Sequence, residues 1–391
     1  MEVGRRGFIA GAGASALAAC APRSVGTGAV PLVKRPGASL VPLAADRFHL
    51  MKVTVCLRPF RAAGPRIELE RFGDKTVVHN YGHGGAGWSL SWGCAQEAVA
   101  LARSTGSHEY AVIGAGVIGL TTALTLIETG AKVSIYAEEF PAETRSARAT
   151  GVWSPGSRIA LASAVPTEFA ARWESWARRS FAVHRGMVGL NGYPVEYLPE
   201  YSVGGATGLV PPASPSPIDV PDDFLSLWRT VRDLQPPRRR LEGSDSPFPT
   251  QRVSVGQSMT FNVASYTDRL ARLFLLRGGK MIRRSFPDRT AALSLAEPVV
   301  LNCMGYGAKE IWDDASLVPV RGQINWLMPQ ENARYAIHHD GVFAVSRRDG
   351  VIVQYTGGGD GYGYGIDNED VLPAETAFAL GTLRSLFANR G

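Results

Sequence analysis

The chain is predicted to be an α/β protein with a Rossmann-like nucleotide-binding domain and a second, mixed-sheet domain. Two observations carry that prediction. The stretch "EYAVIGAGVIGLTTALTLIETGAKVSIYAEE" (109–139) runs from an apolar strand through a glycine turn and a helical period into a second strand, one complete βαβ unit. Three later runs, "VPVRGQINWLM", "GVFAVSRRDG" and "VIVQYTGGG", read as strands of another sheet.

The remaining elements follow in order. "HLMKVTVCLRPF" reads as a strand running into a turn, and "PRIELERFGDKTVVHNYG" as two strands joined at Gly73-Asp74. "CAQEAVALARS" has helical spacing, and a further helix is expected from Val117 to Thr129 with its stop at Gly130. "TEFAARWESWARRSFAVHRGM" is amphipathic and helical, and "VASYTDRLARLFLLRGG" is a helix with a glycine stop. Residues 203–223, rich in Pro, Gly and Ser, form a loop, either a lid or a solvated insertion. "EPVVLNCMG" is a buried strand ending on Gly305, and a helix near 374–388 closes the chain.

At 391 residues the chain is long enough for two domains, and 45% apolar with 19% charged residues is an ordinary globular composition. The net charge of +6 is spread along the chain apart from Arg238, Arg239 and Arg240. Without a basic stripe interleaved with aromatics, nucleic acid is not expected as a partner. Near the N-terminus, "RRGFIAGAGASALAAC" sets Arg5 and Arg6 before a weakly apolar run ending in Cys20, the form of a twin-arginine export signal with a lipoprotein cleavage site. On that reading residues 1–20 are signal, Cys20 carries a lipid anchor, residues 21–45 are a flexible tether, and the protein is exported to the periplasm or cell surface. A basic start followed by an Ala-rich helix is the alternative. Cys56, Cys94 and Cys303 match no metal spacing and read as free thiols.

In "GAGVIG", Gly114 permits a tight turn, Gly116 a close backbone approach to a pyrophosphate, and Gly119 close helix–strand packing. Val117 and Ile118 then open the helix whose free N–H groups and dipole favour the phosphates. Glu138, at the end of the next strand, is placed to bond a ribose hydroxyl, which leaves flavin and nicotinamide dinucleotides both open. A glycine-punctuated helix entry without ligand is the competing account.

The stretch "VVHNYGHGGAGWSLSWGCA" (77–95) resembles the signature of the D-amino acid oxidase family: two aliphatics, His79, Asn80, Tyr81, Gly82, Gly84, Gly85, Gly87, then Gly93 and Ala95. "CLRPFR" resembles the family strand carrying the substrate-carboxylate arginine, which falls on Arg58, and "ATGVWSP" the flavin-contacting segment, with Thr150, Gly151 and Val152. "NCMG" and "VRGQI" resemble further landmarks. The order differs: in the family the fingerprint comes first and the Arg-Pro strand and "HNYGHGG" come last. A circular permutation produces the order found here, and it is tolerated when termini lie close together. Residues 46–160 would then hold the family's C-terminal segment plus the FAD-binding unit, and 161–391 the substrate domain interleaved with remaining FAD-binding elements.

The resemblance implies an FAD enzyme that oxidises a D-amino acid to an imino acid by hydride transfer to the flavin, with oxygen or another acceptor downstream; a flavin oxidase or dehydrogenase of another amine or imino acid, or a non-catalytic flavoprotein, is the alternative. It implies that Gly84, Gly85, Gly87, Trp88 and Ser89 bring backbone and a helix N-terminus to the flavin ring, and that Arg58 clamps the carboxylate. Gly85 and Tyr355 complete the expected catalytic set. The family's active-site tyrosines have no counterpart in "QRVSVGQSMTFNV", so Tyr355, Tyr362 or Tyr364 is the expected substitute, and Arg347 and Arg348 are candidates for an acidic side chain. Three extra residues, at about 62–64, follow the Arg58 strand.

Overall fold

The computed structural model describes residues 40–216, 219–357 and 359–388. The export signal, Cys20 and most of the tether lie outside them. The tether's expected end is corrected, because residues 40–45 are already fixed: Leu43 and Ala45 are buried, Tyr335 donates to the Val41 carbonyl at 2.6 Å, and Arg384 donates to that of Ala45 at 2.9 Å.

Three strands come first, β1 (Leu50–Arg61), β2 (Arg66–Phe72) and β3 (Lys75–Tyr81), followed by α1 (Gly87–Arg103). The βαβ unit is β4 (Glu109–Ile113), α2 (Val117–Ile127) and β5 (Lys132–Ala137). The middle of the chain supplies α3 (Phe169–Arg185), β6 (Val195–Val203), β7 (Arg239–Leu241), β8 (Val253–Phe261), α4 (Val263–Leu276), β9 (Lys280–Arg283) and a short α5 (Arg289–Leu293). It ends with β10 (Val299–Asn302), α6 (Ala308–Ile311), β11 (Leu317–Leu327), β12 (Ala336–His339), β13 (Val342–Arg347), β14 (Gly350–Tyr355) and α7 (Pro373–Ala388).

Six strands form one sheet in the order β2-β3-β10-β4-β5-β9, parallel except for β2 at the edge. Its strands are short apolar runs because both faces are covered. In β4, Tyr110 and Val112 face a core shared with α1 to α4, while Ala111 and Ile113 face Phe286, Ala292 and Trp312. The helices sit close: a Cβ on Gly93 of α1 would come within 2.3 Å of the Trp176 carbonyl oxygen in α3, so nothing larger than glycine fits at that crossing.

The other eight strands run β1-β11-β14-β13-β12-β6-β8-β7, antiparallel except where β12 meets β6. Alternation sorts its faces. Val351, Val353 and Tyr355 pack under α7 with Phe378 and Leu383, whereas Ile352, Phe343 and Ile324 face the interior of the molecule. The two sheets therefore confront each other across a gap. Residues 151–153 bridge it by pairing with β8, through Phe261 N–H to Gly151 O at 2.7 Å and Trp153 N–H to Met259 O at 2.9 Å.

Two histidines are part of this frame. His79 lies between Tyr81 and Trp312 and contacts the Asn302 amide and Glu70. His184 bonds the Tyr266 hydroxyl and the Trp88 carbonyl. Burial disfavours both imidazoliums, lowering His79 to about 4 and His184 to about 3. Below their unfolded value of about 6.5 the unfolded chain binds more protons than the folded one. Stability is therefore full above that pH and falls as the solution is acidified towards 4, by about 1.4 kcal/mol per pH unit for each ring. Urea unfolding at pH 7, 6 and 5 measures this, and a His184→Gln variant should show a shallower slope; equal slopes would remove His184 from the account.

Candidate functional site

A cavity of about 1750 Å³ fills the gap, larger than the roughly 300–1,000 Å³ of ordinary ligand pockets. Its floor is the carboxyl ends of the parallel strands: Asn80 and Tyr81 after β3, Ile113 and Gly114 after β4, Ala137 and Glu138 after β5, Cys303 and Met304 after β10. Open α/β sheets bind ligands at that end of their strands.

At the β4–α2 turn Gly114 holds φ +109°, a conformation that favours glycine, and a Cβ there would meet the Cys303 carbonyl oxygen at 2.5 Å. Gly119 lies behind the cavity lining, where a Cβ would stand 1.9 Å from the Gly114 carbonyl oxygen. It thus fills the packing role its spacing predicts. Gly116, Val117 and Ile118 line the cavity, and α2 opens on Gly116 without a side-chain cap. Its first N–H groups lack intrahelical acceptors. Ser146 answers one of them, its Oγ accepting from Val117 N–H at 3.0 Å, a residue that nothing in the local sequence pattern marks. Glu138 is exposed at the cavity edge.

The glycine loop between β3 and α1 takes a different part from the one expected. Gly84, Gly85, Gly87 and Trp88 line the cavity. However, Gly84 N–H donates to Pro59 O at 2.8 Å and Gly85 N–H to Ser157 O at 3.0 Å, so neither is available to a ligand. A Cβ on Gly84 would lie 1.9 Å from the Arg158 carbonyl oxygen. These two glycines bring chain against chain in the cavity lining, with their N–H groups already bonded. The helix starts at Gly87, earlier than the expected 89–93, and Ser89 is buried with its Oγ accepting from Ser154 N–H at 2.7 Å. Thr150, Gly151 and Val152 do line the cavity, the Thr150 hydroxyl donating to Gln354 at 2.9 Å.

Arg58, on β1, lines the cavity and sits over Gly322 of β11, where a Cβ would come within 2.2 Å of its guanidinium. Its one hydrogen bond is a long one to Val320 O, 3.4 Å, and no carboxylate among the described residues pairs with it. The extra residues 62–64 form the turn after β1, where Ala62 O accepts from Leu161 N–H.

Tyr355 is corrected. Gln354 and Thr356 line the cavity, so the intervening side chain points to the other face, where its ring packs 5.0 Å from Phe378 and 5.1 Å from Tyr362. The Tyr362 hydroxyl is engaged by buried Glu375, and Tyr364 packs edge-on against Phe60 at 5.8 Å. Arg347 pairs with Asp349 and donates to the Ala149 carbonyl, while Arg348 pairs with Glu196; neither is available to a substrate. The sequence reading missed Arg158, which lines the cavity beside Asp360 at 3.2 Å.

Several cavity residues carry buried polar atoms without partners: Asn80 Oδ1, His83 Nε2, Trp153 Nε1 and Arg158 Nε. Burial lowers His83 to about 3, so its imidazole is neutral. Orphaned polar atoms are costly unless a ligand completes them. Together with the turn at Gly114 and the start of α2, where Ser146 answers only the Val117 N–H, they fit a bound dinucleotide.

Comparison with known proteins agrees with this geometry. The family model described as FAD-dependent oxidoreductase matches residues 109–390. A D-amino-acid oxidase of Streptomyces coelicolor is 30% identical over 232 residues, 56% of this chain and 62% of that protein. A D-amino-acid oxidase of Rubrobacter xylanophilus is 62% identical over 47 residues, 12% of this chain and 14% of its own. A D-aspartate oxidase of Talaromyces thermophilus is 48% identical over 61 residues, 15% and 16%. The chain thus spans less than two thirds of the length of these relatives. Among solved structures, glycine oxidase from Bacillus cereus is similar at 16% identity and a TM-score of 0.47, over 71% of this chain and 78% of that one. A family match over well more than half of the chain, on a fold whose strand ends carry the matching turn, makes the protein a member of the FAD-dependent oxidoreductase family.

Proposed function

We propose that the protein oxidises a D-amino acid to its imino acid, which water then hydrolyses to a 2-oxo acid and ammonia. The observation that carries this reading is Arg58, a cation without a carboxylate partner facing a cavity that also holds the dinucleotide turn. Bound FAD would supply the acceptor for the substrate's α-hydrogen. Gly114, Gly116, Val117, Ile118 and Glu138 would hold its nucleotide half, and Thr150, Gly151, Val152, Gly87 and Trp88 would border the ring. Arg58 would fix the substrate carboxylate by a two-pronged ion pair, setting the Cα–H direction, and Trp153, Phe224 and Trp228 would keep water from the reacting end. Oxygen or another oxidant would take the electrons. The relatives named D-amino-acid oxidase support the choice of D-enantiomers.

The order of segments is best read as a circular permutation. Residues before Glu109 fall outside the family match, yet they supply β2, β3 and α1 to the six-stranded sheet and β1 to the other. The link from α1 to β4 is only residues 104–108. The ends of the described chain meet where Arg384 reaches Ala45, which a short connection could close. We also infer export as a lipoprotein from Arg5, Arg6 and Cys20, with the FAD enzyme folded before transport.

Three outcomes are expected. D-Amino acids, and not their L-forms, should bleach the flavin under anaerobic conditions, and Arg58→Ala should raise KM by about a hundredfold with flavin content unchanged; loss of flavin instead would remove the carboxylate role. A reordered chain starting at residue 107, with residues 46–106 rejoined behind 388 by a short linker, should fold and bind FAD; failure to fold would count against permutation. Intact mass of protein from the native membrane should show a chain beginning at Cys20 with a diacylglyceryl group; an intact Met1 or a soluble, unmodified chain would overturn export as a lipoprotein.

A further inference from the structure

Arg158 has features that Arg58 lacks. Its backbone sits at φ +49°, where a non-glycine residue is strained by about 1–3 kcal/mol and persists only if its surroundings force it. Its carbonyl oxygen lies against Gly84, where a Cβ would stand 1.9 Å away. The side chain is about nine-tenths buried yet lines the cavity, and its Nε has no partner. Its other nitrogens reach Ser157 Oγ at 3.2 Å, Gly359 O at 3.1 Å and Asp360 Oδ1 at 3.2 Å.

Asp360 is the less committed member of that pair. Its side chain is 40% exposed against 10% for Arg158, and it also lines the cavity. Burial, with Arg58 nearby, lowers Arg158's affinity for its proton to about 9, and burial lowers that of Arg58 too; a guanidinium nonetheless keeps its charge in proteins, so both count as cations. The buried Arg321 is paired with Glu375 at 3.2 Å. That leaves two cavity-lining guanidiniums, Arg58 and Arg158, with Asp360 as the one carboxylate among the described residues bonded to either. A zwitterionic substrate brings a single carboxylate to this pair of cations; an amino acid with a second carboxylate brings one for each.

We propose that Arg158 is the second anion anchor of the site, that Asp360 holds its place in the absence of substrate, and that the substrate is an acidic amino acid with its side-chain carboxylate on Arg158. The inference rests on the oxidase reading above for the position of the α-carboxylate on Arg58. Replacement of Asp360 by the incoming carboxylate exchanges one ion pair for another, so the buried guanidinium is never left bare. Arg158 is a specificity residue; Arg58 serves every substrate.

The test uses the purified holoenzyme in two measurements. The first is kcat/KM for D-aspartate and D-glutamate against D-alanine, in the parent protein and in Arg158→Met, Arg158→Lys and Asp360→Asn. The acidic-to-neutral ratio should favour the acidic substrates in the parent. It should fall about a hundredfold in R158M, fall less in R158K, which keeps the charge without the fork, and rise several-fold in D360N, where the competing carboxylate is gone. A purely structural ion pair would shift both substrates together in R158M and D360N alike, and that result overturns the proposal. The second is calorimetric binding of succinate against propionate, which needs no turnover. Succinate bound no tighter than propionate overturns the Arg158 anchor whatever the enzyme oxidises. Succinate preferred, with no D-amino acid reducing the flavin, sinks the oxidase reading and leaves the anchor standing.

Discussion

A backbone clasp holds the two sheets at their working separation, and the site depends on it. On one side Gly84 and Gly85, after β3 of the six-stranded sheet, bond to Pro59 and Ser157. On the other, residues 151–153 bond to β8 of the eight-stranded sheet. The segment between these contacts, ending in the strained Arg158, spans the cavity. Because the bonds are made by backbone, side-chain variation along the segment can alter the pocket without altering the gap. A bulkier residue at position 84 cannot, since no Cβ fits beside the Arg158 carbonyl.

The cavity lining mixes fixed charges with a helix start. Glu138 and the opening of α2 line it, as do Arg58, Arg158 and the half-exposed Asp360. Arg145 and Arg148, also in the lining, are both spent on Glu369, at 2.9 Å each. Arg58, by contrast, meets no carboxylate among the described residues, so an added carboxylate gains most there.

Much of this was legible in the sequence, and the reasons for the rest are specific. The βαβ unit declares itself because its apolar runs, glycines and helical period are all local. The β2–β3 hairpin does so through Gly73-Asp74, which sits between strands that pair in full register. The motif glycines announced a close approach but not its partner: a sequence shows that a Cβ is forbidden, and only the fold shows that at Gly84 it would meet the Arg158 carbonyl. Tyr355 was misread by parity, since which of Gln354 or Tyr355 faces inward is fixed by pairing with β13 and by the cover of α7. Arg158 was invisible because its importance comes from Gly84 and Asp360, both distant in the chain.

The pairing of β1 carries a consequence for how the protein is made. Arg58 lies opposite Val320, 262 residues further on. The first of the described strands to leave the ribosome is thus joined by one that emerges much later. Until then β1 presents an open edge of hydrogen-bonding groups, the kind of surface that recruits chaperones or neighbouring chains. Closure of the larger sheet between β1 and β11 is therefore a late event with high contact order.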